Sequence, residues 1–556
     1  MSTPSPPPEP TSTSRSGGAV AVGAGILLSR LLGFVRVRAI GSYLGLGPHA
    51  DVLNAAMRAP NALQVLLGEG TLSASIIPIY ARLLAEGRER EAGRFAGAIL
   101  GLLAAVTAGA VLLGVLLARP LVGLLAGGFL ADAAQVAAGA ATVDRYELSV
   151  RAVRIIFPMT GFLVLSVWSL AILNSHRRFF LSYAAPAVWN LAILAALFLA
   201  GRAAAGPASL DQLLFAACWG ALAGGILQFL VQLPFVLSLL KGFRPALSLE
   251  VPGVREAKNA FLPLLLGRGV VQLGGYLDLF LASFLAAGAV AALGPAQYLY
   301  LLPISLFGMS VAAAELPELA SQASQELSPG FLARVRDGLM QVAFLVLPTM
   351  VGYLGFGWLI VAALYRTGRF GAEDTWLVYL VLAGYSLGLP ASTSSRLLQN
   401  TFYALGETRK PARIAMVRVG VAALAAAGLM LWLDRLPVAA LVPGLASREH
   451  RLGALGLSLA SALGAWVELS WLRLSLGRRL PGFAFPASQI RRMAWVALLA
   501  ALPAGLAWWA LARLPGFLVL AGVVGSYALG YFALSSLAGV SQAERWLGRL
   551  RRRPAR

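Results

Sequence analysis

Apolar runs of roughly 18 residues or more recur from one end of this 556-residue chain to the other, and each is long enough to cross a hydrocarbon core about 30 Å thick. A bilayer holds no water to satisfy backbone N–H and C=O groups, so such a chain folds either as a helical bundle or as a closed barrel. Barrel strands alternate apolar and polar residues. These runs are continuously apolar, which reads as an all-α polytopic membrane protein. Charged residues make up 12% of the chain against about 25% in soluble domains, and mean hydropathy is +0.76. That balance excludes a soluble enzyme and a disordered scaffold.

Hydropathy and punctuation by Gly, Pro and charge predict about fourteen membrane helices, at roughly 18–41, 50–81, 94–118, 148–175, 180–201, 211–240, 258–287, 294–325, 338–365, 374–405, 412–433, 452–476, 491–513 and 516–538. The net charge of +21 tests this register. With a cytoplasmic N-terminus, Arg82, Arg88, Arg90, Arg94, Arg177, Arg178, Lys241, Arg244, Arg255, Lys258, Arg334, Arg336, Arg409, Lys410, Arg413, Arg478, Arg479, Arg491 and Arg492 all fall in inner loops. Arg545, Arg549, Arg551, Arg552, Arg553 and Arg556 of the C-terminal tail join them, whereas Arg119, Arg145, Arg202, Arg366, Arg369, Arg435, Arg448 and Arg513, with Arg451 at the border, fall outside, a bias of about three to one. The expectation is a multi-pass inner (cytoplasmic) membrane protein with both termini in the cytoplasm. Its basic excess faces anionic lipid, so nucleic acid is not an expected partner.

Residues 1–17 are rich in Pro, Ser and Thr and read as a disordered cytoplasmic tail rather than a signal peptide. Residues 539–556 read as a basic cytoplasmic tail. Between them the loops LNSHRRFFLSYAAPAVWN (173–190) and YALGETRKPARIAMVRV (403–419) resemble each other about 230 residues apart. The simplest architecture is two six-helix lobes in a pseudo-twofold arrangement, 18–240 and 241–476, followed by two further helices in 477–538. Those last helices are apolar nearly all round and suit either a lipid-tail groove or plain lipid-facing packing.

Ionisable groups at membrane depth cost at least about 2.5–3.5 kcal/mol each, so they normally face a cavity or a partner. The first span carries Arg30, Arg36 and Arg38, and the second Asp51, Arg58 and Glu69. The seventh carries Arg268 and Asp278, and the eighth Glu315 and Glu318. At 100° per residue, Asp51, Arg58 and Glu69 fall within about 20° of one another and form one stripe. On the first span Arg30 and Arg38 lie about 80° apart, while Arg36 points elsewhere unless the helix kinks at Gly33. A cationic cavity follows, suited to a phosphate or diphosphate because guanidinium groups pair bidentately with phosphate oxygens. Snorkelling of Arg38 and Arg58, and simple helix capping by Asp51, are the competing structural roles.

No catalytic machinery is legible. There is no Walker A loop, no H-E-x-x-H motif, and no nucleophile beside a base, so the chain is not expected to be an enzyme. One cysteine, Cys218, and three scattered histidines, His49, His176 and His450, imply no disulfide, no metal site and no cofactor.

The segments SRLLGFVR (29–36), HADVLNAAMRAPNALQVLLGEGTLSASIIP (49–78), LNSHRRFFLSYAAPAVWN (173–190), FLASFLAAGAVAAL (280–293) and FYALGETRKPA (402–412) resemble the MurJ (MviN) family of lipid II flippases, in the multidrug/oligosaccharidyl-lipid/polysaccharide exporter (MOP) superfamily. The resemblance runs over nearly the whole chain. It implies a carrier that moves an undecaprenyl-diphosphate-linked peptidoglycan precursor between leaflets by alternating access. Its central cationic cavity would take the diphosphate and sugar, and a groove on the last two helices the lipid tail. Implied partners are that precursor, membrane lipids and cell-wall synthesis proteins. Arg30, Arg36, Asp51 and Glu69 match family positions. Three positions depart: Val37 replaces an acid, and Gln64 and Tyr298 each replace an arginine. Arg38, Arg58 or Arg268 is then expected to supply the missing charge. The departures leave two further functions open, a flippase for another polyprenyl-diphosphate-linked glycan and a non-transporting cell-wall scaffold.

Overall fold

The computed structural model describes residues 12–67, 71–203, 208–308, 329–442, 444–445 and 450–545. Side chains are described throughout these except at 12–21, 59, 62, 65–66, 71, 203, 262–274, 308 and 329. Among the described residues every regular element is helical, as the apolar runs require. The first part of the chain forms α1 (Ser12–Leu44), α2 (Pro48–Leu67), α3 (Thr71–Ala85), α4 (Glu89–Leu116), α5 (Ala118–Leu125), α6 (Asp132–Ala137), α7 (Arg145–Ser175), α8 (Phe179–Ala203), α9 (Leu210–Leu239) and α10 (Val254–Ser283). The second forms α11 (Ala289–Pro303), α12 (Pro329–Tyr365), α13 (Ala372–Leu387), α14 (Leu389–Ala404), α15 (Arg409–Leu433), α16 (Gly453–Arg479), α17 (Ala487–Leu499), α18 (Ala501–Leu511) and α19 (Gly516–Leu537).

Each of the fourteen expected spans coincides wholly or in part with helix. Among the described residues, ten helices are long and apolar enough to cross a membrane, or up to twelve if two bent pairs each count as one. The number fourteen is therefore not reproduced. Three expected spans stand outside that set, on α1, on α2 with α3, and on α10, and each of them runs partly outside the described side chains. One bent pair, α13 with α14, turns by 40° at Gly388, where Pro390 begins the second helix and cannot donate a backbone hydrogen bond. The other, at Ala118–Ala137, bends by 108° in what reads from sequence as an outer loop. The first helix also begins at Ser12, inside the stretch expected to be a disordered tail. Residues 1–11 and 546–556 of the two tails lie outside the described residues.

By packing, the chain divides into Met1–Phe280 and Leu281–Arg556. This falls later than the 240/241 boundary expected from sequence. The reason lies on α4, where Gly93, Gly97 and Gly101 form a seam without side chains. The backbone of Lys241–Ala246 lies directly on that seam, so close that a Cβ on any of the three would strike a carbonyl of the linker. Ala246 N–H donates to Gly97 O across 3.4 Å. Val254 and Ala257 then join a core of Ile76, Phe95, Trp168 and Val236. The linker and the start of α10 thus belong to the first unit. Between membrane helices such packing is held by close van der Waals contact and by satisfied polar groups. Trp168, fully buried, donates its indole N–H to Ala96 O at 3.0 Å.

In the second unit, Phe331, Leu397, Phe402 and Leu472 build one core among α12, α14 and α16. The last three helices pack on α12 through Val496, Ala500, Val523 and Tyr531, and the Tyr531 hydroxyl donates to Phe344 O at 2.8 Å. Glu468, 1% exposed on α16, accepts from Arg418 at 2.6 Å and from Gln399 at 2.7 Å. A buried carboxylate needs such partners, because breaking a pair of this kind leaves an uncompensated charge.

Candidate functional site

Small residues bring α1 against α8. Gly25 on α1 meets Tyr183 and the Ala184 backbone of α8, with only about 3 Å left for a Cβ. Asn190 on α8 donates to Ser29 O at 3.4 Å. On α2 the residues Asn54, Met57, Arg58, Asn61 and Gln64 recur at helical spacing and present one polar face. These faces, together with parts of α7 and α9, enclose a cavity of about 680 Å³ within the first unit.

Arg30, Arg36 and Arg58 all line this cavity, and among the described residues its lining includes no carboxylate. The guanidinium of Arg36 lies over the Trp189 ring, 4.4 Å from its centroid. Trp189 is fixed in turn, its indole N–H donating to Met159 Sδ and to Ala221 O, each at 3.1 Å. Arg58 Nη1 donates to Gly275 O on α10 at 2.9 Å, which anchors one corner of its fork. The cavity also has a neutral part of its wall. Gln228 Nε2 donates to Ser166 Oγ at 3.0 Å, and Ser166 Oγ donates to Gln232 Oε1 at 3.0 Å. A guanidinium cluster in a concave site binds phosphate oxygens, and amide and hydroxyl groups bind sugar hydroxyls.

The expected site residues are thus sorted. Arg30, Arg36 and Arg58 come together at the cavity. Arg38 is half-buried but does not line it, reversing the angular reading that paired Arg38 with Arg30. An arginine reaches several bonds from its Cα, and Arg36 uses that reach to lie on Trp189. Gln64 is in the wall. Val37 is half-buried on α1, and Tyr298 is half-buried on α11 in the second unit. Glu69, Glu315 and Glu318 lie outside the described residues, as does the side chain of Arg268.

Asp51 stands elsewhere than the stripe calculation put it. It is fully buried in the first turn of α2 and pairs with Arg145 Nη1 at 3.4 Å. Arg145 also binds Asp132 through Nε at 2.6 Å and Nη2 at 3.0 Å, with its guanidinium 4.4 Å above the Phe129 ring. The angle along α2 is right for a shared face, but the bent Ala118–Ala137 segment and the start of α7 cover that end of the helix. Neither Asp132 nor Arg145 stood out in the sequence, because both read as ordinary loop residues. The amide wall was equally silent, since isolated Asn, Gln and Ser on membrane helices are common packing residues.

Residues 40–532 match the family model described as lipid II flippase MurJ. A probable lipid II flippase MurJ of Vibrio cholerae is 28% identical over 94% of this chain and 95% of that protein. One of Rhizobium tropici is 31% identical over 83% of this chain and 80% of the other. A lipid II flippase MurJ of Burkholderia cenocepacia is 29% identical, covering 83% of each. Among solved structures, a lipid II flippase MurJ in an inward closed conformation matches with a TM-score of 0.70 at 20% identity, over 93% of this chain and 98% of that one. An inward-facing multidrug resistance MATE transporter of the MOP superfamily matches at 0.54 with 16% identity, over 81% and 95%. The two structural matches speak to the fold, and the family model and relatives to descent. The chain belongs to the MurJ family of lipid II flippases.

Proposed function

We propose that this protein moves lipid II, the undecaprenyl-diphosphate-linked peptidoglycan precursor, from the inner to the outer leaflet of the cytoplasmic membrane by alternating access. The observation that carries this reading is the cavity lined together by Arg30, Arg36 and Arg58 and by the amides of Asn54, Asn61 and Gln228. Those three cations take the diphosphate, and the wall of Asn54, Asn61, Ser166 and Gln228 takes sugar hydroxyls. Arg58 supplies charge that the neutral Gln64 does not. The last two expected spans hold the lipid tail, and both termini face the cytoplasm. A head group bearing net negative charge exchanges about 2.3 kcal/mol per charge per 100 mV, so the membrane potential favours outward movement of the bound anion. Partners are the lipid-linked precursor and the surrounding membrane lipids.

Gln64 in the wall favours a second reading, a carrier of another polyprenyl-diphosphate-linked glycan. Depletion in cells separates the two. Accumulation of lipid II in the inner leaflet supports the first, and accumulation of a different lipid-linked glycan with normal lipid II turnover rejects it.

A further inference from the structure

The helix α7 ends in a turn whose backbone is costly for the residue that occupies it. His176 N–H donates to Ile172 O at 3.1 Å, Arg177 N–H to Asn174 O at 3.0 Å, and Arg178 N–H to Leu173 O at 2.8 Å. This pattern closes a helix with one residue in the left-handed region, a position normally given to glycine. Here Arg177 holds it with φ +58, as the single non-glycine residue of positive φ among the described residues. The same bonds close α3 and α14, and there the position is Gly87 (φ +73) and Gly406 (φ +77). The turn after α14 lies in the other copy of the internal repeat, so the two loops share a backbone and differ in chemistry. Arg177 and Arg178 stand where that copy has Gly406 and Glu407. Glu407 pairs with Arg479 at 3.2 Å.

The side chains explain what the strained turn presents. A cavity of about 610 Å³ opens beside it, lined by Arg177, Arg178, Phe179, Phe180, Phe235 and Ser238 among others. Both arginines are exposed, and neither guanidinium makes a hydrogen bond or ion pair among the described residues. His176 does not share their role, because it turns inward to the Tyr80 hydroxyl at 3.0 Å. Burial holds its pKa below the ordinary histidine value; the Arg178 charge acts the same way, against the pull of Glu89. The first-turn N–H groups of α8, which no helix carbonyl can accept, face the same end. Phe180 and Phe235 are 51% and 55% exposed, so the cations sit beside an apolar surface suited to acyl chains rather than to bulk water. The charge bias of the loops puts this turn on the cytoplasmic side.

We propose that the turn between α7 and α8 is a docking site for the anionic phosphate head group of a cytoplasmic-leaflet phospholipid. Arg177 and Arg178 grip the phosphate, and Phe180 and Phe235 seat the glycerol and upper acyl region. A basic turn meant only for solvent would gain by placing glycine at 177. The adjoining aromatics make a lipid a better occupant than a soluble phosphate.

The test uses the full chain in detergent, with short-chain phosphatidylglycerol, phosphatidylcholine and inorganic phosphate as separate probes. Thermal stabilisation and native mass spectrometry report binding. The wild type should bind phosphatidylglycerol in preference to both other probes. R177G and R178Q should each weaken that binding by roughly tenfold or more, as loss of a charge-assisted contact does. R255A, which removes another exposed arginine whose guanidinium makes no hydrogen bond or ion pair among the described residues, should not weaken it. Without lipid, R177G should melt at or above the wild-type temperature, which a purely structural role for Arg177 does not allow. Undiminished phosphatidylglycerol binding by R177G and R178Q, equal binding of phosphatidylcholine, or full replacement by inorganic phosphate would overturn the proposal.

Discussion

Arg36 rests on Trp189 with its guanidinium carbon 4.4 Å from the ring centroid, which ties a cation of α1 to the face of α8 at the edge of the cavity. Two indole hydrogen bonds hold the ring, so the cation is positioned by a rigid platform rather than by its own flexible chain. A desolvated cation–π contact contributes about 0.5–2 kcal/mol. Replacing Trp189 with Ala should therefore weaken binding of the lipid-linked diphosphate by about two- to thirty-fold, while Trp189→Phe keeps most of it. Native mass spectrometry of the purified variants with lipid II checks this. Equal weakening by both would show that the indole hydrogen bonds, not the ring face, set the site.

The Asp51–Arg145–Asp132 cluster places one guanidinium between two carboxylates that are 0% and 2% exposed. Arg145→Met removes the cation that the two share. It should destabilise the protein by about 3–5 kcal/mol, and Asp51→Asn by less, since Arg145 then keeps Asp132. Thermal unfolding in detergent reads this out. A melting temperature unchanged in Arg145→Met would mean the cluster contributes nothing to the fold.

In the second unit, His450 is buried and bonds Asp374 at 2.6 Å, while its backbone N–H donates to Glu373 at 3.1 Å. Burial alone would lower the imidazole pKa. The Asp374 hydrogen bond and the charges of Asp374 and Glu373 outweigh it and hold the value above the ordinary one. A raised folded-state pKa gives stability that is complete below the unfolded value of about 6.5 and is lost as pH rises through the folded one. Melting temperature should therefore fall as pH rises above about 6.5, and that slope should flatten in His450→Gln. A slope that survives the substitution would assign it to another group.

The glycine seam on α4 makes a steric prediction. Any β-carbon at Gly97 runs into the Arg244 carbonyl, and backbone cannot yield as a flexible side chain can. Gly97→Val should cost about 1–3 kcal/mol and lift the 241–246 segment, raising its protease susceptibility. Gly109, with open space around its Cβ position, should accept the same change with little loss.

Membrane class, helix positions and the three cavity arginines were legible because each follows from a local cost, namely apolar length against the bilayer and charge against lipid. The partner of Asp51 was not, since Asp132 and Arg145 reach it only through the bend at Ala118–Ala137, a non-local arrangement with no periodic signature. Arg36 and Arg38 were ranked by angle on an ideal helix, whereas the outcome was decided by an aromatic ring on α8. The unit boundary hid for a similar reason: a basic linker reads as a domain break, but glycines far upstream make a seat for it.

The central claim is that the cavity arginines carry a pyrophosphate-bearing head group across the membrane. Its most direct test is transbilayer movement of fluorescent lipid II in vesicles reconstituted with wild-type protein or with Arg30, Arg36 and Arg58 each replaced by Ala. Wild-type vesicles should move the lipid, and each variant should slow that movement at least about tenfold while inserting normally, as loss of a charge-assisted phosphate contact requires. Movement at the wild-type rate by all three variants would contradict the account.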